Sequence, residues 1–317
     1  MTATSEAPSN DDADLPLGGV VEEIEAGTKK PGLIKSMPWL VRIAAVWLLL
    51  VFIAAASTTI FGWFGRDAPF LTDPNYNHFI FEGKEANQGP SGEFWLGTDK
   101  LARDIFSRIV AGAKVSITVA LTAVAFGIVF GGMLGSLVGL VRGRTETVIM
   151  SLVDVILAFP GLILLLVMVS ITRTRSLFAI SIVIGILSIA PYTRVARANA
   201  LAIANREFVM AARAIGTKPT RILFREIIPN VLPSLLAYAF AAAAVIMVLE
   251  GSLAFLGLSV QPPDATWGQM IFLARGDMRQ NIWPVIYPSL ALVFTVLSLN
   301  VMGDWMRERN ATRSAAL

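Results

Sequence analysis

Six long apolar stretches constrain this 317-residue chain more than any other feature, because a helix needs about 20 consecutive apolar residues to cross a bilayer. The composition agrees with burial in lipid. The chain is 55% hydrophobic and only 15% charged, whereas about 25% of the residues in a soluble protein are charged. We therefore predict an all-α polytopic membrane protein. Its six transmembrane helices are expected at about residues 43–64, 115–141, 148–172, 176–192, 234–256 and 284–303.

The two ends of the chain are polar. Residues 1–38 lack apolar periodicity and carry acidic and then basic residues, so they predict a disordered cytosolic tail and not a signal peptide. The transmembrane domain is expected to cover residues 39–310. Residues 311–317 are expected to form a cytosolic C-terminal tail.

The distribution of basic residues predicts the orientation in the membrane. An even number of spans places both termini on one side, and most of the 26 Lys and Arg residues fall in the segments on that side. Because basic loops stay in the cytosol, both termini are predicted to be cytosolic. Arg173 and Arg175, in a turn on the other side, count against this orientation. The sequence pI of 9.3 thus reflects topology and does not indicate nucleic-acid binding.

The second span carries glycines at a spacing of four: Gly127, Gly131, Gly135 and Gly139. Small residues let helix backbones approach closely in lipid, where no hydrophobic force drives helices together. The pattern favours helix packing over a role in lining a pore.

Two acidic residues, Asp154 and Glu250, lie within apolar spans, where an ionisable group is costly and is a functional candidate by default. Each could recognise the ammonium group of a substrate or make a structural hydrogen bond to a neighbouring helix. The structural role is favoured for Asp154, and both roles stay open for Glu250. Pro160 is expected to kink the third span.

Several function classes are excluded by what the sequence lacks. There is no cysteine and His78 is the only histidine, so a histidine or thiolate metal site cannot be built. A phosphate-binding G-x-x-x-x-G-K-[ST] loop is absent, as are the common hydrolase motifs. We expect a non-catalytic chain with no metal or cofactor of its own.

The polar stretch 194–233 is too long for a simple turn. Within it, residues 206–215 predict a short helix with Asn205 as N-cap. Gly216 suits a left-handed C-terminal position, and Pro219 prevents continuation. Phe208, Ala212 and Ile215 are predicted to share one face. Such a helix can insert into a groove of another protein or lie flat on the bilayer, and the residues alone favour neither.

This stretch also carries a family resemblance. E-F-V-M-A-A-R-A-I-G at 207–216, followed by I-I-P-N-V-L-P at 227–233, resembles the EAA loop of bacterial ABC-importer permeases. The positions that match the loop are Ala211, Ala212, Gly216, Ile228 and Pro229. Met210 stands where the family has glutamate, and Glu207 lies one helical turn earlier.

Further segments are similar to the dipeptide, oligopeptide and nickel branch of these permeases, and within it to the C-type subunit. They are residues 95–116, 158–161, 190–194, 249–263, 266–268 and 299–307. In the first of them Asp99 is predicted to be an N-cap, and Ala102 stands where the family usually has glycine.

The resemblance implies a type I importer fold with a cytosolic coupling helix between spans 4 and 5, in a bacterial cell membrane. The coupling residues that it implies are Glu207, Phe208, Met210, Ala211, Ala212, Ile215 and Gly216. The implied partners are a second homologous permease, two ATP-binding-cassette ATPase domains that bind ATP and Mg, an extracytoplasmic substrate-binding protein and membrane lipid. The expected cargo is peptides.

Other cargoes stay open within the same family, namely nickel, glutathione or haem. A stand-alone secondary transporter is the alternative of a different class, although no clear internal repeat relates residues 40–170 to residues 176–304.

Overall fold

The computed structural model describes residues 37–63, 71, 73–172, 176–260 and 264–315, and within these ranges the regular structure is helical. The helices are α1 (Trp39–Trp63), α2 (His78–Glu82), α3 (Ile105–Phe126), α4 (Gly132–Val141), α5 (Arg144–Ala158), α6 (Gly161–Thr172), α7 (Leu177–Ala204), α8 (Glu207–Ala214), α9 (Pro219–Ile222), α10 (Ile228–Phe255), α11 (Trp267–Ala274) and α12 (Trp283–Ala315). Most of the predicted N-terminal tail, residues 1–36, lies outside the described residues, as does Phe64.

Five continuous helical runs are long and apolar enough to cross a membrane. They are Trp39–Ile60, Ile105–Val141, Leu177–Ala204, Pro219–Phe255 and Trp283–Asn310. Two of the runs contain a π-helical turn, Gly127–Gly131 between α3 and α4 and Leu223–Ile227 between α9 and α10. The all-α polytopic architecture predicted from the apolar stretches is confirmed.

The third span was predicted as one kinked helix, and the structure differs from that prediction. Two separate helices, α5 and α6, meet at an angle of 91°, and they make a sixth span when the pair is counted as one. Phe159 is extended, with φ −80° and ψ 138°. The physical reason is Pro160, because the ring of a proline disfavours helical geometry in the residue before it.

The helices extend beyond the predicted spans, because hydropathy detects only their apolar portion. The second span begins at Ile105, where the Asp104 carboxylate accepts hydrogen bonds from the backbone N–H groups of Phe106 and Ser107. The prediction of Asp99 as N-cap is therefore wrong. Asp99 instead accepts a hydrogen bond from the Arg103 Nε, at 2.8 Å. At the other end of the chain, α12 continues to Ala315, through most of the predicted tail.

The four spaced glycines form the contact between the second span and α7. A β-carbon on Gly131 would lie 2.6 Å from the Ile189 carbonyl oxygen, and one on Gly135 would overlap the Thr193 carbonyl oxygen. Gly127 packs in the same way on the Tyr192 ring, and Gly139 packs on Ala200. The packing role predicted for this stripe is confirmed.

Long-range hydrogen bonds define the two ends of the bundle. At the end that carries α8, Arg142 Nη2 donates to Asn205 Oδ1 at 2.8 Å, and Asn310 Nδ2 donates to the Pro233 carbonyl at 2.9 Å. At the opposite end, Asn281 Nδ2 donates to the Asn87 carbonyl at 3.3 Å. The segments predicted to be cytosolic between spans 2 and 3, between spans 4 and 5, and after span 6 thus gather at the α8 end.

Candidate coupling helix and intramembrane cavity

The short helix α8 is delimited by backbone geometry that its sequence favours. Arg206 is its N-cap, with extended φ −74° and ψ 150°, and Glu207 occupies the first turn. At the C-terminal end Gly216 has φ +78°. The N–H groups of Gly216 and Thr217 donate to the carbonyls of Arg213 and Ala212, which is a Schellman ending. The predicted helix and its glycine terminus are confirmed.

The predicted N-cap is wrong by one residue. Asn205 is the C-cap of α7, and its side chain accepts the hydrogen bond from Arg142. This hydrogen bond joins the α4–α5 turn to the end of α7. As predicted, α8 does not continue through Pro219. Pro219 is instead the first residue of α9, a position where the missing N–H of proline is tolerated.

Burial divides α8 into an inner and an outer face, and the predicted apolar face lies mostly on the outer one. Val209 is fully buried, and Ala212 packs partly buried against the same core. The exposed apolar residues are Phe208 at 44%, Met210 at 52% and Ile215 at 83%. Ala212 therefore lies at the boundary between the inner and outer faces, still within helical spacing of Phe208 and Ile215. Ala211, which is exposed, has the helical spacing to join Phe208 and Ile215 on the outer one.

Two ion pairs join α5 to α7. Asp154 Oδ1 lies 2.5 Å from Arg194 Nη2, and Glu146 Oε1 lies 2.5 Å from Arg197 Nη2. The structure thus gives Asp154 a partner on a neighbouring helix, the alternative that the sequence favoured. The second pair was missed, because the sequence shows that these charges exist but does not show that α5 and α7 are adjacent.

Glu250 is buried in α10, with 1% of its surface exposed. Its Oε1 accepts a hydrogen bond from the Ser259 hydroxyl at 2.8 Å, and Thr266 makes a second side-chain hydrogen bond to the carboxyl. These contacts hold the segment before α11 against α10. The cavity described next is lined by other residues of α10.

A cavity of about 310 Å³ opens where the bend between α5 and α6 faces α7 and α10. Its lining residues include Leu157, Phe159, Leu187, Tyr192, Tyr238 and Ile246. The Tyr192 and Tyr238 rings meet edge to face, with centroids 5.0 Å apart. Within the described residues the Tyr192 hydroxyl is buried without a hydrogen-bond partner. The sequence did not predict this cavity, although it singled out the motifs at 158–161 and 190–194 that border it.

The described residues contain no group of three or more His, Asp or Glu side chains that could hold a metal ion. Helices that cross the membrane, an intramembrane cavity and a short helix exposed at one end together define a membrane transport subunit of the permease class.

Comparisons with known proteins agree with this class. The family model for "binding-protein-dependent transport system inner membrane component" matches residues 127–314. The chain therefore belongs to this family and is a permease subunit of an ABC importer. This membership rules out the stand-alone secondary transporter.

The similar proteins include permeases named for glutathione transport systems. The permease protein GsiD of Pectobacterium atrosepticum is 35% identical over 232 residues, which is 73% of this chain and 76% of the relative. The GsiD of Shigella flexneri serotype 5b is 37% identical over the same length. Among solved structures, the inward-facing MetNI methionine ABC transporter matches with a TM-score of 0.55 at 20% identity. The match covers 64% of this chain and 96% of that chain and supports the fold.

Proposed function

We propose that this permease forms half of a translocation path for small peptides, glutathione among them, and that α8 couples the path to an ATPase. The substrate class is supported by the permeases named for glutathione transport, 35% and 37% identical to this chain. In this proposal a second permease completes the path, a binding protein delivers the cargo, and two ATPase domains hold ATP and Mg. This chain then catalyses no reaction itself.

The observation that carries the coupling proposal is the two-sided construction of α8. Val209 anchors it in the core of the bundle, while Phe208, Ala211 and Ile215 face outward from the end of the bundle. An exposed apolar face on a firmly anchored helix suits insertion into a groove of another protein. Met210 replaces the glutamate of the family loop, and Glu207 offers a carboxylate one turn earlier.

A series of polar contacts links α8 to the cavity. Asn205, just before α8, binds Arg142, and the two ion pairs continue from α7 to α5. The end of α5 then lines the cavity through Leu157. A displacement of α8 would therefore move α7 and α5 together and change the shape of the cavity, which is rigid-body gating.

The orientation follows from the same proposal. The α8 end would face the cytosol, with both termini on that side, and the opposite end would receive the binding protein. The basic residues of the α8 end, among them Arg142, Arg206, Arg213 and Arg221, support this orientation.

Coupling is tested by co-purifying the ATPase with variants of α8. We expect Ala211→Trp to lose the ATPase because the indole would block the exposed face, whereas Ala211→Ser should retain it. Gly216→Val should lower ATP-driven uptake, because a β-branched residue resists a φ of +78°. Gly216→Asn is the matched control, since asparagine tolerates the left-handed region. Full ATPase recovery with Ala211→Trp would contradict the proposal.

The substrate class is tested by uptake into proteoliposomes that contain the assembled importer and its binding protein. The panel is glutathione, dialanine, tetra-alanine, a nickel chelate and haem. We expect ATP-dependent uptake of glutathione or of the two peptides. Uptake of the nickel chelate or of haem alone would keep the family and reject the peptide cargo.

A further inference from the structure

The ion pair of Asp154 and Arg194 lies next to the cavity, on the side of the α8 end. Leu157, one turn further along α5, and Pro191, one turn back along α7, both line the cavity. Residues three positions apart share a helix face, so the two charged side chains continue the cavity lining towards the α8 end. None of the described residues that line the cavity is itself charged.

Both charges lie at the depth of the membrane. Asp154 is ten positions after Arg144, where α5 begins, and Arg194 is ten positions before Ala204, where α7 ends. Each is therefore about 15 Å from the α8 end of its helix, at 1.5 Å per residue. The 28 residues of α7 exceed a hydrocarbon core about 30 Å thick by only about 12 Å.

The pair is open to its surroundings in this chain. The Arg194 side chain is 56% exposed and that of Asp154 is 58% exposed. Charged groups at membrane depth face the interior of a bundle or a water-filled cavity, because lipid cannot solvate them. A pair that continues the lining of the cavity therefore faces the water of the translocation path.

The second ion pair between α5 and α7 is built differently. Glu146 is 16% exposed and Arg197 is 33% exposed, so this pair is largely shielded and suits a structural role. An exposed ion pair changes an equilibrium constant by at most about fivefold. Asp154 and Arg194 can therefore separate at little cost and take other charged partners.

We propose that Asp154 and Arg194 form a subsite that binds the two charged ends of a zwitterionic peptide at the mouth of the cavity. The carboxylate of Asp154 would bind the peptide's ammonium group. The Arg194 guanidinium would bind its carboxylate, which matches the planar fork of an arginine. Since one exposed ion pair is replaced by two, binding is weak, as release from a transport path requires. This inference rests on the peptide path proposed above and names residues that recognise its cargo.

The test measures how peptides protect a cysteine placed beside the pair. Leu157→Cys gives this chain its only cysteine. Its reaction with a neutral, water-soluble maleimide is followed by mass spectrometry in the assembled importer, without binding protein or ATP. The competitors are dialanine, N-acetyl-dialanine and dialanine amide. Each blocked peptide lacks one charged end, so about fivefold more of it than of dialanine should be needed to halve the reaction rate.

Each variant of the pair should abolish one of these two preferences. In the Leu157→Cys background, Asp154→Asn should no longer distinguish dialanine from N-acetyl-dialanine. Arg194→Gln should no longer distinguish dialanine from dialanine amide, and it gives the test alone if Asp154→Asn does not assemble. Asp304→Asn is the matched control and should keep both preferences. Asp304 pairs with Arg307 on α12, both more than half exposed, and α12 contributes none of the described cavity lining.

Three results would overturn the proposal. A Leu157→Cys that does not react in the assembled importer would show that another subunit covers the mouth of the cavity. Equal protection by dialanine and both blocked peptides would show that neither charged end is recognised. Preferences that persist in Asp154→Asn and Arg194→Gln would mean that the pair only joins two helices.

The uptake panel described above separates this inference from the proposed function. Transport of peptides without the preferences would reject the subsite and leave the peptide path intact. A panel in which no peptide is transported would reject the peptide path itself.

Discussion

Asp154 and Arg194 lie 40 positions apart in the chain and form an ion pair at 2.5 Å, which joins α5 to α7 just before the right-angled bend at Pro160. Val153 is the one buried residue of α5. Few side chains of α5 are therefore buried, and the ion pairs of Asp154 and Glu146 add polar contacts that join it to α7.

The first prediction concerns this ion pair. Both side chains are more than half exposed, and where that exposure is to water Asp154→Ala should cost at most about 1 kcal/mol of stability. Uptake by the assembled importer should fall more than the thermal stability does, because α5 ends at the cavity. The double variant Asp154→Arg with Arg194→Asp restores the pair with reversed charges and should recover uptake. Uptake that stays at the wild-type level in Asp154→Ala would show that the pair does not transmit movement.

The second prediction concerns Gly135 in the contact with α7. Alanine is normally about 1 kcal/mol better than glycine inside a helix. Gly135→Ala should nevertheless destabilise by about 1–3 kcal/mol, because the new methyl group overlaps the Thr193 carbonyl. The measurement is the thermal midpoint of the purified permease in detergent. Gly161→Ala is the control, since a β-carbon there meets no atom within 4 Å, and its midpoint should not fall.

The third prediction concerns Ala102, which is fully buried and has φ +51°. Glycine would relieve about 1–2 kcal/mol of left-handed strain. Glycine would also lose the burial of one methyl group, which contributes about 0.8 kcal/mol to stability. Its greater loss of backbone entropy on folding would cost a further 0.5–1 kcal/mol, roughly. These terms nearly cancel, so the thermal midpoint of Ala102→Gly should stay close to that of the wild type.

A β-branched residue at the same position has no such compensation. Ala102→Val should lower the midpoint clearly, since valine is an outlier at positive φ. If Ala102→Val and Ala102→Gly had equal midpoints, the left-handed geometry of this residue would be wrong.

The fourth prediction concerns Glu250. Glu250→Gln keeps an oxygen that can accept the Ser259 hydrogen bond, so assembly and substrate uptake should be retained. Glu250→Leu removes the acceptor for both hydroxyls and should cost about 1–3 kcal/mol, which a thermal scan measures. A loss of uptake in Glu250→Gln with unchanged stability would instead support recognition of a substrate's positive charge.

The departure at Ala102 shows how sequence and structure complement each other. The family pattern indicated a glycine position, and the structure explains it by a positive φ. The prediction of Asp99 as the cap failed, in contrast, because Asp99 and Asp104 are both plausible caps by sequence. The choice between them depends on the turn in which Asp99 binds Arg103.

The sequence by itself determined the all-α polytopic class, the position of α8, its glycine terminus and the glycine contact in the second span. Each of these depends on local length, periodicity or backbone preference, which neighbouring residues encode. Only the tertiary structure decided the 91° bend, the outward face of α8, the partners of Asp154 and Glu250, and the cavity. These features arise where helices far apart in the chain meet, and the pairing of helices is not contained in the pattern of any single one.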